Sequence, residues 1–199
     1  MVDMQKIVIL NGGVGNFSNV QKAVGGIISN EINDIKKADK IILPGVGSFG
    51  IVSNNIIPLK DYILEHIDKN KPFLGICLGM QLLFESSEEG EGTGLSYLPG
   101  KVVKFKNMKV PHIGWNSVEF SKDSLIFRGI ENGSFFYFVH SYYITTEDQY
   151  TISYTEYESR GKTCKFTSSV QKENVFGVQF HPEKSGEKGI KLLENFKNL

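Results

Sequence analysis

A cysteine between two glycines joins two apolar runs in the stretch KPFLGICLGMQLLFE, residues 71–85. The first run is typical of a buried strand and the second of a helix. A sharp turn between two such elements strains its central residue and requires small neighbours, which Gly75 and Gly79 supply in the pattern G-x-C-x-G. The turn would expose Cys77 beyond the carboxyl end of the strand, at a helix start that favours the thiolate.

The chemistry open to Cys77 in such a position is nucleophilic attack on a carbonyl carbon. The backbone N–H of Leu78 would point into the same space as the sulfur and could stabilise an oxyanion. The G-x-C-x-G pattern by itself also fits a buried structural cysteine, because free cysteines are commonly buried. A nucleophilic cysteine needs a base, so the four histidines of the chain decide between the two interpretations.

His181 has the sequence context of a catalytic base. It follows the apolar run VFGVQF directly, so we expect it at the carboxyl end of a strand, where α/β sheets place their chemistry. Pro182 stops the strand and Glu183 follows. A carboxylate there can hold one imidazole nitrogen, orient the other toward Cys77 and stabilise the imidazolium.

The other three histidines have weaker contexts. His66 lies among charged residues of a predicted helix, which indicates a solvated face. His112, in VPHIGW, is expected in a loop or on a binding surface. His140 ends the run SFFYFVH and is expected in the core or at the end of a strand.

Composition limits the class of protein. The chain has 199 residues, of which 40% are hydrophobic, and this predicts one well-buried domain over 1–199. Lysine plus arginine and aspartate plus glutamate both number 22, which gives no broad basic surface for nucleic acid or an anionic membrane. The two cysteines make no disulfide framework, and Cys164 is expected to be structural. Without a run long enough for a membrane span or signal peptide, the sequence predicts a cytoplasmic protein.

The predicted elements are arranged as in an α/β protein. Strands are expected at KIVIL (6–10), KIILPG (40–45), PFLGI (72–76), SFFYFVH (134–140) and VFGVQF (175–180). Helical spacing between the first three predicts a parallel sheet, whereas the turn-linked strand segments between 101 and 170 predict an antiparallel extension. A last amphipathic helix is expected to bury Ile190, Leu193 and Phe196.

The motifs GICLGMQ and FHPEKS, in this order, resemble those of the class I (triad) glutamine amidotransferases. The resemblance covers nearly the whole chain. It implies a three-layer, flavodoxin-like α/β fold with a mostly parallel central sheet and an antiparallel extension. It also implies an enzyme that releases ammonia from glutamine with no metal and no cofactor.

Three further stretches, ILPGVGSF (42–49), VPHIGWN (110–116) and YFVHSY (137–142), narrow the resemblance within this family. They are similar to the glutaminase subunits of imidazole glycerol phosphate synthase, which act in histidine biosynthesis. The resemblance implies a heterodimer in which this chain docks onto a (β/α)8-barrel cyclase subunit. Glutamine is then the small-molecule substrate, and nucleic acid and membrane are not partners.

The resemblance also assigns the steps of catalysis. Cys77 attacks the glutamine carboxamide and forms a glutamyl thioester. His181, oriented by Glu183, protonates the leaving ammonia and then activates the hydrolytic water. The oxyanion is held by the N–H of Leu78 and by a second donor from the PGVG loop, at Val46 and Gly47, where glycines let the peptide reorient.

Substrate-binding roles fall by the same resemblance on Gly45, Gln81, Glu89, Ser141 and Tyr142, the last two through their backbone. The residues alone leave plainer alternatives open. Gln81 could be an exposed helix position, Glu89 part of a solvated acidic loop, and PGVG an ordinary turn.

The partner interface of the family matches Asn16, Trp115, Asn116, Tyr137 and Lys184. An exposed tryptophan on a polar rim is typical of an interface anchor. A tryptophan in the core is the alternative, and composition does not separate the two.

The opening loop NGGVGN departs from the family pattern. Asn11 and Gly12 replace the usual aspartate and aromatic residue, whereas Gly15, Asn16 and Ser18 keep the pattern. The departure leaves the triad intact and leaves open a paralogous subunit that supplies ammonia for amidation of a cell-surface sugar. A non-catalytic regulatory subunit of the same fold is a separate alternative, and the presence of Cys77, His181 and Glu183 argues against it. A cysteine hydrolase or stress protein of similar fold would lack the HPE motif.

Overall fold

The computed structural model describes residues 5–13 and 16–199, so Gly15 lies outside the described residues. The strands are β1 (Ile7–Ile9), β2 (Ile27–Ile28), β3 (Lys40–Gly45), β4 (Phe73–Cys77), β5 (Lys101–Lys104), β6 (His112–Ser117), β7 (Glu119–Phe120), β8 (Phe135–His140), β9 (Tyr142–Thr145), β10 (Thr151–Ser159), β11 (Lys162–Lys172) and β12 (Val175–Val178). The α-helices are α1 (Phe17–Val24), α2 (Ile32–Lys37), α3 (Phe49–Ile56), α4 (Lys60–Asp68), α5 (Leu78–Gln81) and α6 (Gly186–Lys197). Short 3-10 turns cover Ile57–Leu59, Leu125–Phe127 and Pro182–Lys184.

A parallel sheet forms the first half of the molecule, as the alternation of strands and helices predicts. The strands β2, β1, β3 and β4 lie side by side in that order, and β12 returns beside β4, all in parallel pairs. Gly45 at the end of β3 pairs with Cys77 at the end of β4, and Val178 at the end of β12 pairs with Ile76. The carboxyl ends of β3, β4 and β12 therefore meet at one edge of the sheet.

The antiparallel extension is also confirmed. The sheet continues from β12 through β11 and β10 to β7, and β9 and β5 attach to it along β11. β6 and β8 form a separate two-stranded antiparallel ribbon, which the sequence did not predict.

Helices cover both faces of the parallel sheet, which gives three layers. Side chains alternate along each strand, so that Ile7 and Ile9 join the core under α1 and α6 whereas Val8 and Leu10 join the core under α2, α3 and α4. β3 and β4 are buried at every position because both of their faces are covered. The α/β prediction is thus correct in class and in layering.

Three local predictions are wrong. In α6, Ile190 is 47% exposed, whereas Leu192 is buried beside the predicted Leu193 and Phe196. This face packs closely at Gly189, where a Cβ would lie 2.0 Å from the Pro182 carbonyl oxygen. His66 is buried, and its Nε2 lies 3.1 Å from the Pro72 carbonyl oxygen, so charged neighbours did not indicate a solvated position. His112 is also buried, at 3% exposure, and it begins β6, so the prediction of a loop or binding-surface position is wrong. The predicted helix after Cys77 is present and short, with four residues ending at Gln81. None of the described helices is long and apolar enough to cross a membrane.

Candidate active site

The strand-to-helix elbow holds Cys77 in a strained backbone conformation, with φ 55° and ψ −107°. Positive φ is unusual for a residue other than glycine. Both flanking glycines are sterically required: a Cβ on Gly75 would lie 2.5 Å from the Gly79 carbonyl oxygen, and one on Gly79 would lie 1.7 Å from that of Leu43. The close packing of α5 on β3 and β4 therefore fixes the position of the thiol.

His181 and Glu183 form a buried pair just beyond the end of β12. The His181 Nδ1 lies 2.8 Å from Oε1 of Glu183, and both side chains are 1% exposed. The backbone holds the pair in place: the His181 N–H donates to the Tyr137 carbonyl at 2.9 Å, and the Ser185 hydroxyl donates to the His181 carbonyl at 2.6 Å.

The environment of His181 favours its protonated form. Burial by itself would lower the pKa of His181, but the charge of the adjacent Cys77 sulfur and the Glu183 carboxylate outweigh burial and raise this pKa to about 10. Among the described residues, His181 Nε2 has no hydrogen bond of normal geometry. It nevertheless lies near enough to Cys77 for the sulfur to raise the pKa of His181. Such a histidine has a proton to give to a leaving group.

A cavity of about 210 Å³ opens above Cys77. Its lining brings together most of the residues singled out in the sequence: Val46, Gly47, Cys77, Leu78, Gln81, Glu89, Ser141 and Tyr142, with Val139 and His140. Gly45 is not in this lining and packs against the start of α5, where a Cβ would approach the Leu78 Cβ to 3.0 Å. The volume suits a molecule the size of an amino acid.

The polar side chains of the cavity are held by hydrogen bonds. Gln81 is buried and donates from Nε2 to the Tyr142 carbonyl at 3.1 Å, so the alternative of an exposed helix residue is wrong. Glu89 accepts from the Phe49 N–H at 2.7 Å, at the start of α3. Burial raises the pKa of Glu89, and this hydrogen bond opposes the shift. Glu89 is therefore fixed in place, unlike a residue of a solvated acidic loop.

Trp115 and Tyr137 are neighbours on the outer face of the ribbon formed by β6 and β8. Their ring centroids lie 6.2 Å apart, and the ammonium of Lys184 lies 5.8 Å from the Tyr137 centroid. Trp115 is 55% exposed, so it is not a core tryptophan. Ile113 and Phe135 are exposed on the same face, which makes a continuous aromatic and aliphatic surface.

The two asparagines assigned to the partner interface are placed differently. Asn116 follows Trp115 on β6, is half-buried, and donates from Nδ2 to the Glu156 carbonyl at 2.9 Å. Asn16 begins α1, where its carbonyl accepts from the N–H of Val20. Asn116 thus lies on the ribbon, and Asn16 lies at the start of a separate helix.

The departure in the opening loop has a structural account. Asn11 and Asn30 exchange reciprocal hydrogen bonds of 2.8 and 2.9 Å between side chain and backbone. Gly12 packs so closely on Val52 that a Cβ would approach the Val52 Cγ1 to 2.7 Å, and its carbonyl accepts from Asn55. A large aromatic residue would not fit at position 12 in this arrangement.

Sequence reasoning missed Gln179. This fully buried side chain donates from Nε2 to Sγ of Cys77 at 3.5 Å and accepts from Gln81 at Oε1. The available signal was a single polar residue inside the apolar run VFGVQF, two positions before His181. A buried polar side chain needs partners, so its presence in a covered strand pointed to the site.

The fold and the site together define a class of protein. A covered α/β sheet carries a cysteine at a strand-to-helix elbow, and a histidine–carboxylate pair ends the adjacent strand. This is the arrangement of a cysteine-triad enzyme that transfers an acyl group.

Comparison with known proteins defines the family. Residues 18–199 match the family described as glutamine amidotransferase class-I. The chain is 54% identical over 198 residues to the imidazole glycerol phosphate synthase subunit HisH of Pyrococcus furiosus, which covers 98% of this chain and 100% of the relative. It is 45% identical to the HisH subunit of Aquifex aeolicus, with 96% of each chain covered. The chain belongs to the class-I glutamine amidotransferases and, within them, to the family of these HisH subunits.

Solved structures share the fold at low sequence identity. PurLQS from Thermotoga maritima superposes with a TM-score of 0.75 at 17% identity, covering 98% of each chain. The CTPS glutaminase domain of Trypanosoma brucei superposes with a TM-score of 0.66 at 18% identity, covering 96% of this chain and 92% of that one. These likenesses confirm the predicted fold class.

Proposed function

We propose that this chain is the glutaminase subunit of an imidazole glycerol phosphate synthase. It hydrolyses glutamine to glutamate and ammonia, and the ammonia passes to a cyclase subunit that forms imidazole glycerol phosphate and AICAR in histidine biosynthesis. One observation carries the proposal: the chain is 54% identical, over nearly its whole length, to a HisH subunit. The buried pair of His181 and Glu183 beside Cys77 is consistent with turnover and argues against a purely regulatory subunit.

The geometry supports a two-step reaction. The Cys77 thiolate attacks the carboxamide carbon of glutamine, and the imidazolium of His181 gives its proton to the nitrogen as ammonia leaves. This produces a glutamyl thioester. His181, now neutral and oriented by Glu183, takes a proton from water as the water attacks the thioester, and glutamate is released from Cys77.

The oxyanion formed in each step lies between two loops. The Leu78 N–H, at the start of α5, is one donor in this proposal, and the peptide of Val46 and Gly47 supplies the second. Gly47 has φ 103°, which is open to glycine, so the peptide can change its orientation at low energetic cost. This loop is thus the element through which activation would act.

The substrate fits the cavity by charge and hydrogen bonding. In this proposal the Glu89 carboxylate pairs with the α-ammonium group of glutamine, because it is the acidic residue of the lining. Gln81 and the backbone of Ser141 and Tyr142 hold the remaining polar groups of glutamine. Gly45, which has no side chain, lets the backbone of β3 pack closely against Leu78.

The proposed partner is a (β/α)8-barrel cyclase subunit that forms a heterodimer on the ribbon of β6 and β8. The exposed Trp115, together with Tyr137 and Lys184, gives the aromatic anchor and adjoining charge that are typical of an interface centre. In this proposal Asn16 and the backbone of Asn116 extend this contact, since the Asn116 side chain is turned inward to His112 and the Glu156 carbonyl. In this account residues 1–199 act as one cytoplasmic domain that needs no cofactor.

Reconstitution tests the function. The chain is mixed with the cyclase subunit of an imidazole glycerol phosphate synthase and its ribonucleotide substrate, and AICAR formation from glutamine is measured. We expect glutamine-dependent AICAR in the mixture and none with either subunit alone. A stable complex without any glutamine-dependent product would contradict the proposal, and a complex with a sugar-amidating synthase instead would favour the paralogous function.

A further inference from the structure

Gln179 contacts the reacting atom of the proposed mechanism, since its Nε2 lies 3.5 Å from Sγ of Cys77. We propose that Gln179 is a further catalytic residue, whose N–H stabilises the Cys77 thiolate and is aimed at the sulfur by a directed chain of buried hydrogen bonds. The inference rests on the proposed function only in taking Cys77 as the nucleophile. No bond to Gln179 breaks; the cysteine proton still passes to His181.

The orientation of the Gln179 amide follows from its other contact. Its Oε1 accepts from Nε2 of Gln81 at 3.0 Å, so the amino end of the amide faces the sulfur. With the amide reversed, two N–H donors would face each other and the carbonyl oxygen would face the thiolate. Both glutamines are buried, where an unpaired polar group is costly. The hydrogen bond from Gln81 therefore turns the amino end of the Gln179 amide toward Cys77.

The orientation of Gln81 is fixed in turn by the Tyr142 carbonyl, 3.1 Å from its Nε2. A carbonyl oxygen can only accept, so the amino end of Gln81 must face it. The two hydrogens of this amino group are then used by Tyr142 and Gln179. The Oε1 of Gln81 is the end left for the cavity that Gln81 lines.

Two histidines hold the Tyr142 carbonyl from the other side. His140 lies 2.7 Å from it through Nδ1, which must carry the hydrogen. Burial lowers the pKa of His140 to about 3, so the ring is neutral and its Nε2 accepts from Nδ1 of His112 at 3.1 Å. Burial likewise lowers the pKa of His112 to about 4, and its Nε2 accepts from Asn116 at 3.5 Å. All donors in this part of the chain point toward Tyr142.

Ring packing keeps the histidines in this arrangement. His112 stacks on Tyr157 with centroids 4.1 Å apart, and on Phe138 at 5.1 Å. The stacks hold the plane of the His112 ring, and a ring flip within that plane would replace its nitrogens by carbon atoms and break the bond to His140. The directed chain therefore runs through rigid groups from Asn116, on the ribbon of β6 and β8, to the Tyr142 carbonyl that sets the two glutamines.

Alkylation of Cys77 by iodoacetamide at pH 7 tests the contact, because this small reagent reports thiolate reactivity without glutamine turnover. Peptide mass spectrometry separates Cys77 from Cys164. Gln179→Leu removes the donor and should slow alkylation of Cys77 about tenfold, the effect of one hydrogen bond to a charged group. Gln179→Glu keeps the size and the acceptor for Gln81 but has no N–H, and should slow the reaction at least as much.

Two controls separate a local effect from a loss of structure. Gln171→Leu removes the same amide from a side chain that bonds to Ser124 and Glu173 instead, and should leave Cys77 alkylation unchanged. The rate at Cys164 in each variant is the internal reference, since loosening of the fold would raise it. A wild-type rate at Cys77 in both Gln179 variants would overturn the proposal.

A third variant tests the orienting chain. His112→Phe keeps an aromatic ring against Tyr157 but gives His140 no donor. Alkylation of Cys77 should therefore also slow, by a smaller factor than in the Gln179 variants. An unchanged rate would overturn the directed chain. If the chain does not hydrolyse glutamine and Cys77 alkylation still depends on Gln179, the proposed function fails and this inference stands.

Discussion

Cys77 owes its exposure to the cavity to a backbone conformation that few residues other than glycine adopt. Conformations of this kind cost about 1–3 kcal/mol each. The cost is offset by the contact of α5 with β3, where Gly79 sits against the Leu43 carbonyl. At the scale of single residues, packing around glycines thus places the proposed nucleophile, and we propose that His181 activates it.

Replacing Glu183 by Gln tests the carboxylate of the triad. The variant keeps the size of the side chain and an acceptor for His181 Nδ1, but removes the negative charge that supports the imidazolium. We expect kcat for glutamine hydrolysis to fall by up to about ten thousand-fold, the loss seen when a triad carboxylate is neutralised in a serine protease. KM should change little, because Glu183 does not line the cavity.

The matched control for this measurement is Glu187→Gln, which neutralises an exposed carboxylate in the first turn of α6. Its steady-state constants should equal those of the wild type. An unchanged kcat in Glu183→Gln would mean that the buried ion pair has no catalytic role.

At the scale of elements, three uncharged histidines are buried, His66 in α4 and His112 and His140 in the ribbon of β6 and β8. Burial lowers the pKa of His66 to about 4, of His112 to about 4 and of His140 to about 3. In the unfolded chain each would titrate near 6.5. As pH falls below 6.5 the unfolded chain therefore binds more protons than the folded protein, and stability is lost progressively down to about pH 4.

Urea unfolding between pH 7 and pH 4.5 checks this expectation. Each histidine contributes at most about 1.4 kcal/mol of lost unfolding free energy per pH unit. His66→Gln keeps a donor for the Pro72 carbonyl but does not titrate. The slope of its unfolding free energy against pH should therefore be smaller than that of the wild type, by an amount that corresponds to the uptake of at most one proton on unfolding. A slope equal to that of the wild type would contradict the assignment of a buried neutral His66.

The sequence predicted the elements better than their contacts. KIILPG gives β3 over the predicted residues and the elbow lies where its motif indicates, whereas β12 ends at Val178, two residues before the predicted end. Ile190 was misplaced because helical spacing allows several apolar faces, and the close approach at Gly189 selects one of them. The contact between Gln81 and Gln179 joins residues 98 positions apart, and only the parallel pairing of β12 with β4 creates it.

At the scale of the whole molecule, the candidate site and the proposed partner surface share the ribbon of β6 and β8. The ribbon of β6 and β8 presents Trp115 outward and carries His112 and His140 inward, so one element faces both partner and cavity. Cleavage of glutamine without an acceptor would waste ammonia, which becomes protonated in water. The isolated chain is therefore expected to be slow.

The partner should raise kcat more than it lowers KM for glutamine. If docking reorients the peptide of Val46 and Gly47 to complete the oxyanion hole, the gain arises mainly in the transition state. One such donor is worth about a hundred- to a thousand-fold. Steady-state glutamate release is compared with and without the cyclase and its ribonucleotide substrate. Equal rates in a complex shown to form would remove the gating mechanism and leave a plain glutaminase.

The central claim, that Cys77 releases the ammonia used by the partner, is tested most directly by Cys77→Ala in the reconstituted complex. AICAR formation is measured once with glutamine and once with an ammonium salt as the nitrogen source. We predict that the variant loses the glutamine-dependent reaction and keeps the ammonium-dependent reaction at the wild-type rate. Glutamine-dependent formation at the wild-type rate in Cys77→Ala would contradict the account.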